Sequence, residues 1–449
     1  MNEEKIQELL NYLASIGLEG TLLEQDIREN IANGREQFET QHEILWEQEK
    51  VQFSLQLMKD LQFQGYRLAN YRAIHWDENA NVNSQTFAPT SHGICNANLA
   101  YYIVSGRFDD LFEKISMLNL GEFPGVDPYQ NLETFLSRNA DEFTLKCSRN
   151  EPEGYIEYKI PVSKIDGWYA LDTYTAMLTP YPTITHGTFN GIDTKELEDE
   201  MRRVNWRNDP ELFVLHDDSE PEILSPANDI LSKMLKLSRD TEGVLIADIL
   251  MLKYWSESSF FDSFIEQRAW NLSNTLPKRE QSFPTELEAK AAFNLLCGRA
   301  VLQDRVYPLP HDKPAWVRLD FTTKGPNGSY LTEVMPEFDD EKLFTVLSAL
   351  PVQEDELYLV ATALKRGDIT PLELPNKKTI LLEANPEQKT INIYSEDMRP
   401  IPFNLHFDPD WKPAQNSELK PDELKRKPRQ NIIHSEYPPD KDNQFRRRR

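Results

Sequence analysis

Cysteine is scarce in this chain: Cys95, Cys147 and Cys297 are the only three in 449 residues. An odd number without motif spacing speaks against a disulfide framework and fits a reducing compartment. Histidine is thin as well, with 8 in the whole chain, which leaves little material for a histidine-based metal site. No apolar run approaches the ~20 residues that a membrane span needs. The opening "MNEEKIQELL" is acidic and amphipathic where a signal peptide would be basic and then apolar. Positive charge is in deficit, with 49 Lys and Arg against 74 Asp and Glu and a formal net of −25. Such a field favours solubility and repels nucleic acid at long range. Also missing are a phosphate-binding Gly-rich loop ending in Gly-Lys-Ser/Thr, a zincin helix, a nucleophile elbow and a dinucleotide fingerprint. The expectation is a cytoplasmic protein with no cofactor, no metal and no membrane partner.

With 39% hydrophobic residues the chain can bury a core and is long enough for several domains. Ile6, Leu9, Leu10 and Leu13 make a helical stripe that breaks at Gly17 and Gly20. Thr21 with Glu24 has capping-box spacing, and Leu23, Ile27 and Ile31 continue one face up to Gly34. "VQFSLQLM" and "GYRLANYRAIHW" then alternate as two strands. Near the other end, Thr285 and Glu288 repeat the capping-box spacing before "AKAAFNLLCG". Val317, Leu319 and Phe321 lead into a predicted two-residue turn at Asn327-Gly328. Leu343, Val346, Leu347 and Leu350 share a helix face, and "KKTILLEANPEQKTINIYSEDM" reads as a second hairpin.

On "AFNLLCGRAV", the strands around "GPNGSY" and "EANPEQKTINIYSEDMRPI" with its polar, basic tail, the chain resembles an uncharacterised protein family of Bacteroidota. The N-terminal "GLEGTLLEQDIRENIANGREQFETQHEI" and "VQFSLQLMKDLQFQGYRLANYRA" are similar to that family's opening. The likeness covers roughly the first 75 and last 170 residues. It implies an association with conjugative or other mobile elements and carries over no catalytic residue.

The middle repeats the ends. "YQNLETFLSRNADEFTLK" echoes "LEQDIRENIANGREQFETQ", "GWYALDTYTA" echoes "GYRLANYRA", and "GTF" ending at Phe189 echoes "QTF" ending at Phe87. "NLAYYIVSGR" at 98–107 is likewise similar to "KAAFNLLCGR" at 290–299. Internal repetition points to copies presenting similar surfaces. The predicted fold class is therefore α+β, with tandem helix-hairpin-helix modules at 1–120 and 121–215, a helical insert at 216–278 and a C-terminal α+β unit at 279–411. In the insert, Ser225-Pro226 reads as a helix start. "GVLIADILMLKYW" is apolar on most sides, and Trp255, Phe260, Phe261, Phe264 and Trp270 form an aromatic cluster read as core.

Residues 412–449 change sign. They hold 11 Lys and Arg against 6 Asp and Glu, a net of +5 that leaves −30 for residues 1–411. This composition cannot bury enough surface to offset ordering entropy, so a disordered tail is expected. Lys425, Arg426, Lys427, Arg429, Arg446, Arg447, Arg448 and Arg449 are its candidate nucleic-acid contacts, through phosphate neutralisation. The bland counterpart is a solubilising terminus.

Elsewhere the candidates are weak. His92 and Cys95 stand three apart but lack a second ligand pair. Asp77-Glu78-Asn79-Ala80-Asn81 opens like a calcium loop, but Val82 and Ala88 occupy the positions that need Gly and a carboxylate. His186 has no partner visible in sequence. Glu196, Glu198, Asp199 and Glu200 beside Arg202 and Arg203 read as a solvated helix face. The expected function is a non-catalytic binding or adaptor protein with a protein partner and with nucleic acid reached through the tail. The alternative is a nucleic-acid-processing or anti-defence enzyme whose site is assembled from residues distant in sequence.

Overall fold

The structure, a computed structural model, describes residues 3–46, 49–60, 62, 64–77, 79–88, 95–120, 128–215, 221–256, 258–303, 314–335, 338–351, 353–396 and 398–401. The chain forms two compact units, one from Met1–Gln303 and Val317–Val334, the other from Asp304–Trp316 and Met335–Arg449.

The first unit opens with α1 (Glu3–Ser15) and α2 (Thr21–Ala32), followed by the antiparallel meander β1 (Gln37–Trp46), β2 (Glu49–Asp60), β3 (Gly65–Trp76) and β4 (Val82–Phe87). The helices α3 (Ala97–Val104) and α4 (Arg107–Met117) close it. In β2, Val51, Phe53, Leu55 and Leu57 are sealed while Gln52 and Gln56 stay half-exposed, the alternation of a sheet with one covered face. Beneath it lie Tyr71, Tyr101 and Tyr102, all fully buried. The Tyr71 hydroxyl donates to the Cys95 carbonyl at 2.5 Å, as a buried phenol must find an acceptor.

Next come α5 (Pro128–Ser137), β5 (Glu142–Glu151), β6 (Gly154–Ile165), the short β7 (Trp168–Ala170) and β8 (Thr173–Pro180). The chain then leaves the sheet. It forms β9 (Thr188–Phe189), β10 (Ile192–Asp193), α6 (Thr194–Arg203), β11 (Phe213–Val214), β12 (Glu222–Ile223), α7 (Ala227–Leu237), α8 (Val244–Trp255) and α9 (Gln267–Thr275). It returns as β13 (Arg279–Pro284), which pairs antiparallel with β8 from Arg279 opposite Leu178 to Pro284 opposite Thr173. After β13 come α10 (Ala289–Leu296), β14 (Val301–Gln303) and the hairpin of β15 (Ala315–Lys324) and β16 (Tyr330–Val334). In the second unit, α11 (Asp340–Leu347) and α12 (Glu354–Lys365) pack on a sheet of β17 (Thr370–Glu373), β18 (Thr379–Asn385) and β19 (Thr390–Ser395).

This corrects the expected architecture. With 19 strands in six sheets against 12 helices among the described residues, the chain is dominated by antiparallel sheet and is not a tandem of helix-hairpin-helix modules. The expected hairpins are parts of wider meanders of order β1-β2-β3-β4 and β13-β8-β6-β5. Two physical facts hide this in the sequence. β4 is exposed at five of its six positions, so it has no alternation to read, and the strand that completes the second sheet arrives only after residues 181–278. The "GTF" echo therefore sits on the small β9–β10 hairpin, whereas the sheet's own continuation is β13.

Smaller features move too. The Thr285 amide bonds the Asp172 carbonyl at 3.2 Å, prolonging the β13–β8 pairing, and α10 takes Glu288 as its N-cap. Thr21 lies inside α2 behind Gly20. Pro226, not Ser225, is the N-cap of α7. Asn327 and Gly328 sit in a five-residue loop, Gly325–Ser329, closed by the Gly325 amide on the Ser329 carbonyl at 2.8 Å.

The helices between β8 and β13 share one core in which Leu197, Trp206, Met234, Leu250, Trp255 and Phe261 pack together. Trp270, expected in the aromatic cluster, is instead exposed, whereas Phe260 and Phe264 pack against this core. Asp209 fixes the loop that brings Phe261 in. Its buried carboxylate accepts from Ser258 Oγ at 2.6 Å, Ser259 Oγ at 2.7 Å and the Phe260 amide at 2.8 Å. Asp209→Ala strands these donors and should destabilise the fold by about 3 kcal/mol, read as a lower urea midpoint. An unchanged midpoint would show that the carboxylate is not holding the loop.

Candidate functional site

A left-handed glycine after each sheet-closing helix turns an arginine back toward a hairpin tip. Gly106 (φ 75) follows α3, and Arg107 Nη2 donates to Glu49 Oε1 at 2.9 Å, at the start of β2. The guanidinium lies 5.1 Å from the Tyr101 ring and 4.5 Å from that of Trp168, and Nη1 bonds the Tyr101 hydroxyl. The other Glu49 oxygen meets the Tyr101 hydroxyl at 3.0 Å and His75 Nε2 at 3.1 Å. His75 is buried, and its Nδ1 has no hydrogen-bond partner among the described residues.

After α10 the device recurs. Gly298 (φ 91) precedes Arg299, whose Nη2 pairs with Glu153 in the β5–β6 turn and whose guanidinium lies 5.9 Å from the Phe293 ring. The sequence echo of "SGR" and "CGR" marks these arginines. Their carboxylate partners lie far away in sequence and show no signal of their own.

His186, partnerless in sequence, gains partners in the fold. Its Nε2 lies 3.1 Å from Glu198 Oε2 and its Nδ1 3.2 Å from Thr194 Oγ1, giving the order hydroxyl, imidazole, carboxylate. Thr194, however, is fully buried, and its hydroxyl accepts from the Gly187 amide at 3.0 Å and donates to the Gly187 carbonyl at 3.1 Å. The oxygen is committed to closing a loop and is sealed from any substrate. Burial pushes the Glu198 carboxyl up, but the hydrogen bond and charge of Lys253 at 2.7 Å, with Arg202 and His186, outweigh it and hold the group below its usual value. The other helix acids pair as a solvated face would, Asp199 with Lys195 and Arg202, and Glu200 with Lys233.

Of the remaining sequence candidates, those that are described sit in ordinary structure. Cys95 is described and His92 lies outside the described residues, as do Glu78 and every named residue of the basic tail. Asp77 Oδ1 accepts from the amides of Asn79 and Asn81, a turn that joins β3 to β4. Among the described residues no group of three His, Cys, Asp or Glu could hold a metal ion, and no helix is long and apolar enough to cross a membrane. Burial pushes the thiols of Cys95, Cys147 and Cys297 each up to about 12, leaving them protonated and weakly nucleophilic at neutral pH.

Beyond these clusters lie the outer faces of the two large sheets. On the first, Glu39, Gln41 and Glu43 of β1, Arg72 of β3 and Ser84 and Thr86 of β4 face solvent. Many of these polar side chains are already joined across strands. Gln52 donates to Gln41 at 2.7 Å, Gln56 to Glu39 at 2.8 Å and Arg72 to Ser84 at 2.6 Å. At one end of this face Leu45, Trp76 and Val82 are exposed. On the second sheet, Lys146 lies directly opposite Lys159, beside a shallow depression of about 150 Å³ lined also by Cys147, Ser148, Glu157 and Tyr158. The chain matches no protein-family model, no curated protein and no solved structure.

Two outcomes follow. Arg107→Ala leaves Glu49 without its cation and should cost about 2–3 kcal/mol in a denaturant titration, less than a fully buried pair because Glu49 keeps some solvent. A loss within error would reduce the contact to a surface ornament. For the thiols, the folded state holds its protons to about 12 while the unfolded chain releases them near 9.0. Their contribution to stability is complete below that lower value and lost as pH rises toward the upper one. At pH near 8, Ellman's reagent should label the native protein slowly, slowest at the buried Cys147, and the denatured protein at all three positions; fast native labelling of Cys147 would contradict its burial.

Proposed function

We propose that this chain is a non-catalytic binding or adaptor protein that engages a protein partner through the open faces of its large sheets. The carrying observation is that, among the described residues, helices cover one face of each sheet while the other face presents polar side chains to solvent. On the first sheet the cross-strand bonds from Gln52, Gln56 and Arg72 hold that face in place, so less side-chain freedom is lost when a partner binds. The strongest carboxylate clusters, around Glu49 and Glu198, serve to hold elements together, which supports a binding role over a chemical one. The basic tail, with Lys425 to Arg429 and Arg446 to Arg449, supplies a second contact to nucleic acid. Service to a mobile element follows from the family resemblance, and a cytoplasmic setting from the composition.

The test is capture of full-length protein from its native extract, with and without nuclease, followed by mass spectrometry. A defined protein should be recovered in both conditions and lost with Gln41→Glu plus Gln52→Glu, whose far-UV circular dichroism should match the parent. Enrichment of nothing in either condition would sink the adaptor reading. For the tail, removal of residues 412–449 should abolish DNA binding and its salt dependence. Binding that persists with the same salt slope would exclude the arm.

A further inference from the structure

Among the described residues, the outer edge of β4 is the one edge of the two large sheets without charge, proline or cover. Edge strands carry unpaired amides and carbonyls, and natural proteins blunt them with charge, proline or cover. The opposite edge, β1, carries Glu39 and Glu43; in the second sheet β5 carries Glu142, Lys146, Arg149 and Glu151, and β13 carries Arg279, Glu280 and Pro284. β4 reads Val82-Asn83-Ser84-Gln85-Thr86-Phe87, without a charge or a proline. Among the described residues it pairs only with β3, and its first five residues are exposed.

We infer that β4 pairs antiparallel with β4 of a second copy of this chain, joining two four-stranded sheets across a twofold axis. The absence of charge favours this occupant over a foreign strand. A partner of different sequence can meet a charge with its opposite, whereas a self-pairing strand sets its central residues against themselves, where like charges repel. The register with Ser84 on the axis keeps every pair on one face of the sheet. Ser84 meets Ser84 of the copy, Val82 meets Thr86, and on the opposite face of the sheet the exposed Asn83 meets Gln85. On the open face Val82 is already flanked by Trp76, its registered neighbour on β3, so the apolar row runs up to the new contact. Each copy carries a net charge of −25, so bulk repulsion opposes the pairing and salt should strengthen it. This inference does not depend on the adaptor reading.

Sedimentation of the full chain should show a concentration-dependent dimer in the micromolar range that tightens as salt is raised. Ser84→Lys, which places two ammonium groups at the axis and gives up the bond from Arg72, should be monomeric with the far-UV circular dichroism of the folded parent. Ser84→Cys should form a covalent dimer on mild oxidation, while Val82→Cys, which would face Thr86, should not. A monomer throughout that range at high salt would overturn the proposal. So would a dimer that weakens with salt, one that survives Ser84→Lys, or a Ser84→Cys chain that crosslinks no faster than Val82→Cys.

Discussion

The arginine that follows a left-handed glycine is the contact on which the first unit turns. A meander is open at its hairpin ends, and at the β1–β2 end the apolar contact of Trp46 stacked on Tyr101, ring centres 5.2 Å apart, is joined by an ion pair. Arg107 and Arg299 reach back from the helix ends and fasten Glu49 and Glu153 at those tips. Only a residue with positive φ lets the chain reverse at that point, which is why a glycine precedes each arginine. The guanidinium is also flat enough to lie against Tyr101 or Phe293 while its edge makes the ion pair, a combination lysine cannot reproduce.

The two fastenings differ in what surrounds them. Around Arg107, Glu49 is shared with His75 and Tyr101, and Trp168 from β7 of the second sheet closes over the guanidinium. The contact therefore ties the two sheets together as well as pinning one hairpin. Around Arg299 the ring is Phe293, with no hydroxyl to share, and Asn294 takes the second guanidinium nitrogen at 2.7 Å. The same logic of spending charge on structure governs the helical layer, where Glu198 gathers Lys253, Tyr254 and His186 from three separate segments.

Local pattern made part of this fold legible. The stripe of α1, the all-round apolar α8, the central strands β2 and β3 and the hairpin of β18 and β19 all bury what their spacing says they bury. What sequence could not supply was partnership. β4 has both faces in contact with water and so lacks a period, and β13 finds β8 across the whole helical segment. The α12 helix escapes the sequence reading, although Leu357, Val360, Ala361 and Leu364 form its buried face. For the site residues the limit was the same. His186 has a histidine's chemistry in any sequence, but only the fold shows that its hydroxyl neighbour is sealed and its carboxylate neighbour already claimed by a lysine.

The route of the chain through the second sheet has a topological consequence. β8 and β13 are hydrogen-bonded neighbours, so the backbone leaves the sheet just past Leu178 and re-enters it at Arg279, directly opposite Leu178 and about one strand spacing, roughly 5 Å, from it. Seen from the sheet, the entire helical core with its tryptophans is the loop of a hairpin. Loop closure costs rise only slowly with length. Beyond the end of α8, whose Leu252 carbonyl accepts from Asn150 of β5 at 3.2 Å, the sheet therefore places little demand on what the loop contains, and the rest of that layer is free to grow, shrink or change its surface while the meander keeps its register.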